Sequence, residues 1–141
     1  MKKYLTFPNI TVGLLCVLII ITFALGKLNF DRFNPEQPKK FIEKTLPVIA
    51  QNWDSELMYE NMPDVKKETI ENLCRELKRV FGSCEVTDVA WKTTTLRIEN
   101  EYYVYSANLN CELGKSVANL IVVPQKDGYK YVSINFSLGG K

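Results

Sequence analysis

No histidine occurs anywhere in the 141 residues. That absence excludes Ser-His-Asp and Cys-His nucleophilic catalysis, every His-containing metal site and any His-based pH sensor. An excess of one charge is missing too. The chain carries 18 basic and 16 acidic residues, and setting aside Lys2 and Lys3 leaves sixteen of each from Lys27 onward. A balanced domain has no bulk attraction for nucleic acid or anionic lipid, so no nucleic-acid partner is expected. Cysteine is scarce. Cys74, Cys84 and Cys111 have no His among them and no close Cys pair, a poor donor set, so neither a metal nor a cofactor is expected. With 46% apolar and 24% charged residues, disorder and fibrous repeats are excluded as well. Beyond one hydrophobic N-terminal run, about 115 residues remain, enough for one small domain and too few for two.

The hydrophobic run gives an address. Ile10 to Leu25 is uncharged and almost wholly apolar, and the stretch from Phe7 to Leu28 reaches 22 residues with Lys27 as its one charge. At about 1.5 Å per residue this spans a bilayer core of about 30 Å. Lys2 and Lys3 precede it, which places the N-terminus in the cytoplasm and the domain outside. The expected organisation is an anchor over 1–28, a tether over 29–40 and an extracytoplasmic domain over 41–141. A cleaved signal peptide is the rival, since Ala24-Leu25-Gly26 puts small residues at a cleavage site's −3 and −1 positions. Both readings put the domain in the same compartment. Cys16 reads as a lipid-facing or helix-packing thiol.

Downstream, Ile42, Leu46, Ile49 and Trp53 recur at helical steps and predict a helix from about Glu36 to Asn52, kinked or broken at Pro47. Asp54 is positioned to cap a brief turn, SELMYENM, that ends before Pro63. Ile70, Leu73, Cys74, Leu77, Val80 and Phe81 predict a second main helix, with Asp64 as its N-cap and Gly82 as its stop.

After Ser83 the pattern turns to β-branched and aromatic residues. The runs are Cys84 to Trp91, continuing or restarting at Thr94 to Glu99, then Tyr102 to Leu113, Lys115 to Val123 and Tyr129 to Leu138. Turns fall at Glu99-Asn100, Gly114 and Lys126-Asp127-Gly128, which makes an antiparallel meander. Strand parity turns Tyr103, Tyr105, Ala107, Leu109, Cys111 and Leu113 towards the helices. In the last run parity turns Val132, Ile134, Phe136 and Leu138 inward and leaves Tyr129, Tyr131, Ser133 and Asn135 outward, where the two tyrosines would offer an aromatic interface. Val117 to Val123 is apolar at both parities apart from Asn119, as expected of a central strand whose outer face is partly covered. The fold class is therefore α+β, two helices packed on a curved four- to five-stranded antiparallel sheet, behind one transmembrane helix.

Several passages carry a likeness to a known plan: Trp53-Asp54 followed by Leu57, the junction Phe81-Gly82-Ser83-Cys84, and the run NCELGKSVANLIVVPQKDGYKYVSINFS. In these the chain resembles bacterial extracytoplasmic domains of the nuclear-transport-factor-2-like and cystatin-like fold group, over about residues 36 to 138. Tyr129 and Tyr131 stand where that group commonly has a Trp. The resemblance implies a cone-shaped sheet, a bacterial inner-membrane address with the domain on the periplasmic side, and Cys84 facing Cys111. A plain hairpin count disagrees: closing Ile98 on Glu101 sets Cys111 against Asp88, about 13 Å along the strand from Cys84, unless a bulge near Thr93-Thr94-Thr95 intervenes. A Cys84–Cys111 bridge, a bridge to Cys74 and no bridge all stay open.

Asp88 is the carboxylate of interest. It shares parity with Cys84, Val86 and Ala90, and in one reading points into the cone beside Tyr103 or Tyr105, where proton transfer resembling that of isomerases of the group would be feasible. In the other it is a solvated edge or bulge residue. The favoured function is a membrane-tethered binding or scaffold domain, a subunit or assembly factor of an envelope complex, similar in plan to bitopic scaffolds of type IV secretion systems. The alternative is a small-ligand-binding or enzymatic cone with its mouth near Asp88. A filled cone fits the first, and a cavity of a few hundred Å³ with convergent polar groups fits the second.

Overall fold

A computed structural model describes residues 14–23 and 34–139. Residues 14–23 form helix α1, whose side chains from Leu14 to Phe23 are exposed and largely apolar. Among the described residues no helix is long and apolar enough to cross a membrane. The two ends of the expected anchor, and the tether up to residue 33, lie outside the described residues. The chain divides into two compact units, Met1–Asn34 and Pro35–Lys141.

The second unit is α+β: α2 (Glu36–Asn52), α3 (Ser55–Asn61) and α4 (Lys67–Phe81) precede four antiparallel strands, β1 (Cys84–Leu96), β2 (Glu101–Cys111), β3 (Gly114–Gln125) and β4 (Gly128–Leu138). They lie in sequential order, so β1 and β4 are the sheet edges and β3 is interior. Helix α2 runs unbroken through Pro47 and buries Ile42, Leu46 and Ile49 on one stripe. Each such side chain contributes roughly 1.5–3 kcal/mol of burial. The helix ends because Trp53 adopts a left-handed backbone (φ 52°), which costs about 1–2 kcal/mol without a glycine. The buried indole offsets that cost: its Nε1–H donates to the Gly82 carbonyl at 2.6 Å, and its ring meets Phe136 edge-on at 5.1 Å.

Asp54 caps α3 as its sequence position predicts, accepting from the backbone N–H of Glu56 and Leu57 at 2.9 and 3.1 Å. The short segment is a true helix, giving three helices where two were expected. Asp64 does not cap α4. Its carboxylate accepts from Lys130 Nζ at 2.6 Å, the chain makes a further turn, and the helix begins at Lys67 without a side-chain cap. At the other end Gly82, with φ +68°, closes α4, and a Cβ there would lie 2.5 Å from Glu112 Oε2.

Three bulges set the sheet's shape and its faces. Thr87 and Lys92 are extra residues in β1 against β2, and Val132 is extra in β4 against β3. Each reverses side-chain parity beyond it. The inner face carries Val89, Tyr103, Tyr105, Ala107, Leu109, Ala118, Leu120, Val122, Tyr131 and Ile134, all buried in one core with the helices.

Candidate functional site

The bulge at Thr87 decides what Asp88 can do. Asp88 pairs with Asn108, and both are exposed, whereas Tyr103 and Tyr105 are buried on the opposite face. The expected grouping of Asp88 with Tyr103 and Tyr105 is thereby corrected: the strand passes between the carboxylate and the two hydroxyls. Asp88 is a solvated residue next to a bulge on an edge strand.

The bulge at Val132 decides the tyrosines of β4. Ile121 pairs with Ser133 and Val122 with Tyr131, so Val132 is the unpaired residue and is 42% exposed, while Tyr131 is 1% exposed. Outward placement of Tyr129 and Tyr131 is therefore corrected. Both pack on Phe41 of α2, with ring centroids 6.1 and 5.0 Å away. Tyr131 offers no surface to a partner, and Tyr129 is half-buried against the core.

The inward tyrosines make a polar lining whose hydroxyls are committed. Tyr131 Oη and Thr45 Oγ1 are 2.7 Å apart, Tyr103 donates to Glu101 Oε2 at 2.8 Å, and Tyr105 donates to the Pro35 carbonyl. Burial pushes all three phenols well above their ordinary range, aided at Tyr103 by the Glu101 carboxylate that accepts its hydrogen bond. At neutral pH they are donors locked in place, not bases. Among the described residues, surface concavities lie elsewhere. One of about 650 Å³ borders Pro47, Gln51, Ser83 and Glu112; one of about 460 Å³ borders Asn108, Lys115 and Ser116; one of about 410 Å³ runs between α4 and β4. Asp88, Tyr103 and Tyr105 line none of these three. Among the described residues no cluster of three His, Cys, Asp or Glu side chains is placed to hold a metal ion.

Cys84 and Cys111 form a disulfide between directly opposed residues of β1 and β2. The hairpin count misses it for two reasons. Arg97 and Asn100 bond each other through both backbone groups, so the turn is Ile98-Glu99 and Leu96 pairs with Glu101. The two β1 bulges then supply the rest of the offset. Cys74 is a free, buried thiol whose Sγ donates to Met58 Sδ at 3.6 Å, and burial, then the Asp54 charge, pushes its pKa up to about 11.

The outer sheet face, where an aromatic interface was expected, is instead polar at its middle, with Asn108, Asn119 and Asn135 exposed on it. Its middle rows, Val104–Ile121–Ser133, Ser106–Asn119–Asn135 and Asn108–Val117–Ser137, contain no charge, and Lys115, Lys130 and Asp88 stand at its margins. Runs of Asn and Ser at alternate positions were the signal available for it. No protein-family model, no curated protein and no solved structure matches the chain.

Proposed function

We propose that the chain is a single-pass, membrane-tethered extracytoplasmic domain of the nuclear-transport-factor-2-like or cystatin-like plan, and that it binds or scaffolds a protein partner in an envelope complex. The expected address is the bacterial inner membrane with the domain on the periplasmic side, attached through the apolar run around Ile10 to Leu25. The Cys84–Cys111 bridge supports an oxidising compartment.

The observation that carries the reading is a sheet face whose middle rows carry no charge, lying over a core whose tyrosine hydroxyls are already bonded. Such a face suits contact with another macromolecule, while the core leaves no convergent reactive groups for a small substrate. The test is extraction of the native protein in mild detergent. A complex containing a second polypeptide is expected, and Asn119→Lys, at the centre of the face, should release that polypeptide without lowering the melting temperature. Recovery of this chain alone would sink the reading.

A further inference from the structure

Because the strands form a meander, the β1–β2 turn (Ile98-Glu99) and the β3–β4 turn (Lys126-Asp127) share one end of the sheet, and the β2–β3 turn beside Cys84–Cys111 lies at the other. Helix α2 starts at the first end. The Pro35 carbonyl accepts from Tyr105, and Phe41 packs on Tyr129 at the start of β4. The helix finishes towards the second end, where the Trp53 indole donates to the Gly82 carbonyl. The polypeptide therefore enters the domain at the end that carries the Ile98 turn.

That turn carries side chains its fold does not use. Ile98 is fully exposed, Leu96 two residues before it is 60% exposed, and neither belongs to the core. Two-residue hairpin turns draw on Asn, Asp and Gly for their backbone, so turn chemistry does not call for a β-branched residue there. Between the two aliphatics, Arg97 sets its guanidinium 5.4 Å from the ring centroid of half-buried Tyr102. An aliphatic tip backed by a guanidinium and then a phenol matches the order of acyl chain, phosphate and headgroup in a bilayer interface. Arg97 and Lys126 are balanced by Glu99 and Asp127, so this end needs no anionic lipid.

We propose that the tip from Leu96 to Ile98 rests in the interface of the phospholipid bilayer that anchors the chain, with Leu96 and Ile98 among the upper acyl chains and Arg97 donating to a lipid phosphate. The proposal rests on the membrane-tethered reading. Covalent reach selects both the occupant and the end. Ten residues, 24–33, separate α1 from the described start of the domain, and ten residues span at most about 36 Å. The opposite end also exposes leucines, Leu113 at 67% and Leu138 at 77%. It lies nearly the length of β2 from the entry point, and the eleven residues of that strand measure roughly 36 Å. Bringing that end to the bilayer would draw the connecting residues taut, at a cost in chain entropy that contact through Ile98 does not carry. Two aliphatic side chains alone would not hold a free domain on a membrane. A tethered domain meets its bilayer at an effective concentration on the order of millimolar, so a weak contact suffices.

Quenching in nanodiscs of zwitterionic phosphatidylcholine brominated in the upper acyl chain tests the proposal. The full chain, in a Cys16→Ser background with Cys74 buried, carries an environment-sensitive fluorophore at Glu99→Cys or, at the opposite end, at Leu113→Cys. Strong quenching at 99 and little at 113 are expected. Leu96→Ser with Ile98→Asp should remove most of the quenching at 99 while incorporation into the discs and the melting temperature stay unchanged. Equal quenching at the two positions, or quenching indifferent to the two substitutions, would overturn the proposal and leave the anchor reading intact. Release of a co-purified polypeptide by the same substitutions, with no quenching at 99, would assign the tip to a protein and overturn it equally. A chain that does not enter the discs would overturn the anchor reading, and the proposal with it.

Discussion

Tyr131 carries one hydroxyl into an apolar core, and its bond to Thr45 is what makes that burial tolerable. Tyr131→Phe should therefore cost about 1 kcal/mol, read as a small fall in denaturant midpoint, because Thr45 keeps its own bond to the Phe41 carbonyl at 2.8 Å. An unchanged midpoint would show the hydroxyl to be neutral. The same phenols and Cys74 give the domain an alkaline limit. Their folded pKa values are raised, so the neutral forms are favoured by folding. The associated stability is whole below the unfolded values of about 9 to 10 and is lost as pH rises through the folded ones. Melting temperature should hold to about pH 8.5 and decline towards pH 11, with Cys74→Ala removing the earliest part; a rise over that interval would contradict the assignment. Asp88 makes the opposite case. Exposed beside Asn108 and across the sheet from the tyrosines, it should tolerate Asp88→Asn with no change in melting temperature or in partner retention. Lost complex formation at unchanged stability would restore a functional role to it.

At the scale of elements, the strand hairpin β1–β2 is held at its open end by Cys84–Cys111, a closure of 27 residues. In the chain-entropy account such a loop contributes about 3–4 kcal/mol, so Cys84→Ser with Cys111→Ser should lower the denaturant midpoint by that equivalent while the sheet still forms. A loss below about 1 kcal/mol would mean that the hairpin's register is fixed elsewhere. How far such elements are legible in sequence depends on their chemistry. Helix α2 is readable because Ile42, Leu46, Ile49 and Trp53 repeat a stripe, and the Asp54 cap because its carboxylate must sit just ahead of free N–H groups. The inner face of β2 is readable because that strand has no bulge. Thr87, Lys92 and Val132 leave no such mark, since any residue can be the extra one, yet each inverts the faces that follow. Asp88, of the predicted pocket with Tyr103 and Tyr105, and Tyr131, of the predicted interface with Tyr129, each lie directly beside one of these bulges. Asp64 fails as a cap for a different reason: Lys130, distant in sequence, competes for its carboxylate.

For the whole molecule, the proposed membrane topology rests on charge, hydropathy and covalent chemistry together. Lys2 and Lys3 before an uncharged apolar run favour a cytoplasmic N-terminus. A run of 22 residues from Phe7 to Leu28 is long for a signal peptide's core and adequate for a span, which favours retention over cleavage. A disulfide of this kind persists where glutathione and thioredoxin do not reduce it. The proposed topology is therefore an anchor retained and a domain outside. A cysteine placed at Lys126, in the exposed β3–β4 turn, reports it in a Cys16→Ser background, with buried Cys74 shielded from reagent. An impermeant maleimide should label that position in intact spheroplasts as fully as after lysis, and intact mass should include residues 1–26. Labelling only after lysis would place the domain inside and leave the bridge without its compartment. A mature chain beginning at Lys27 would remove the tether yet keep the domain outside.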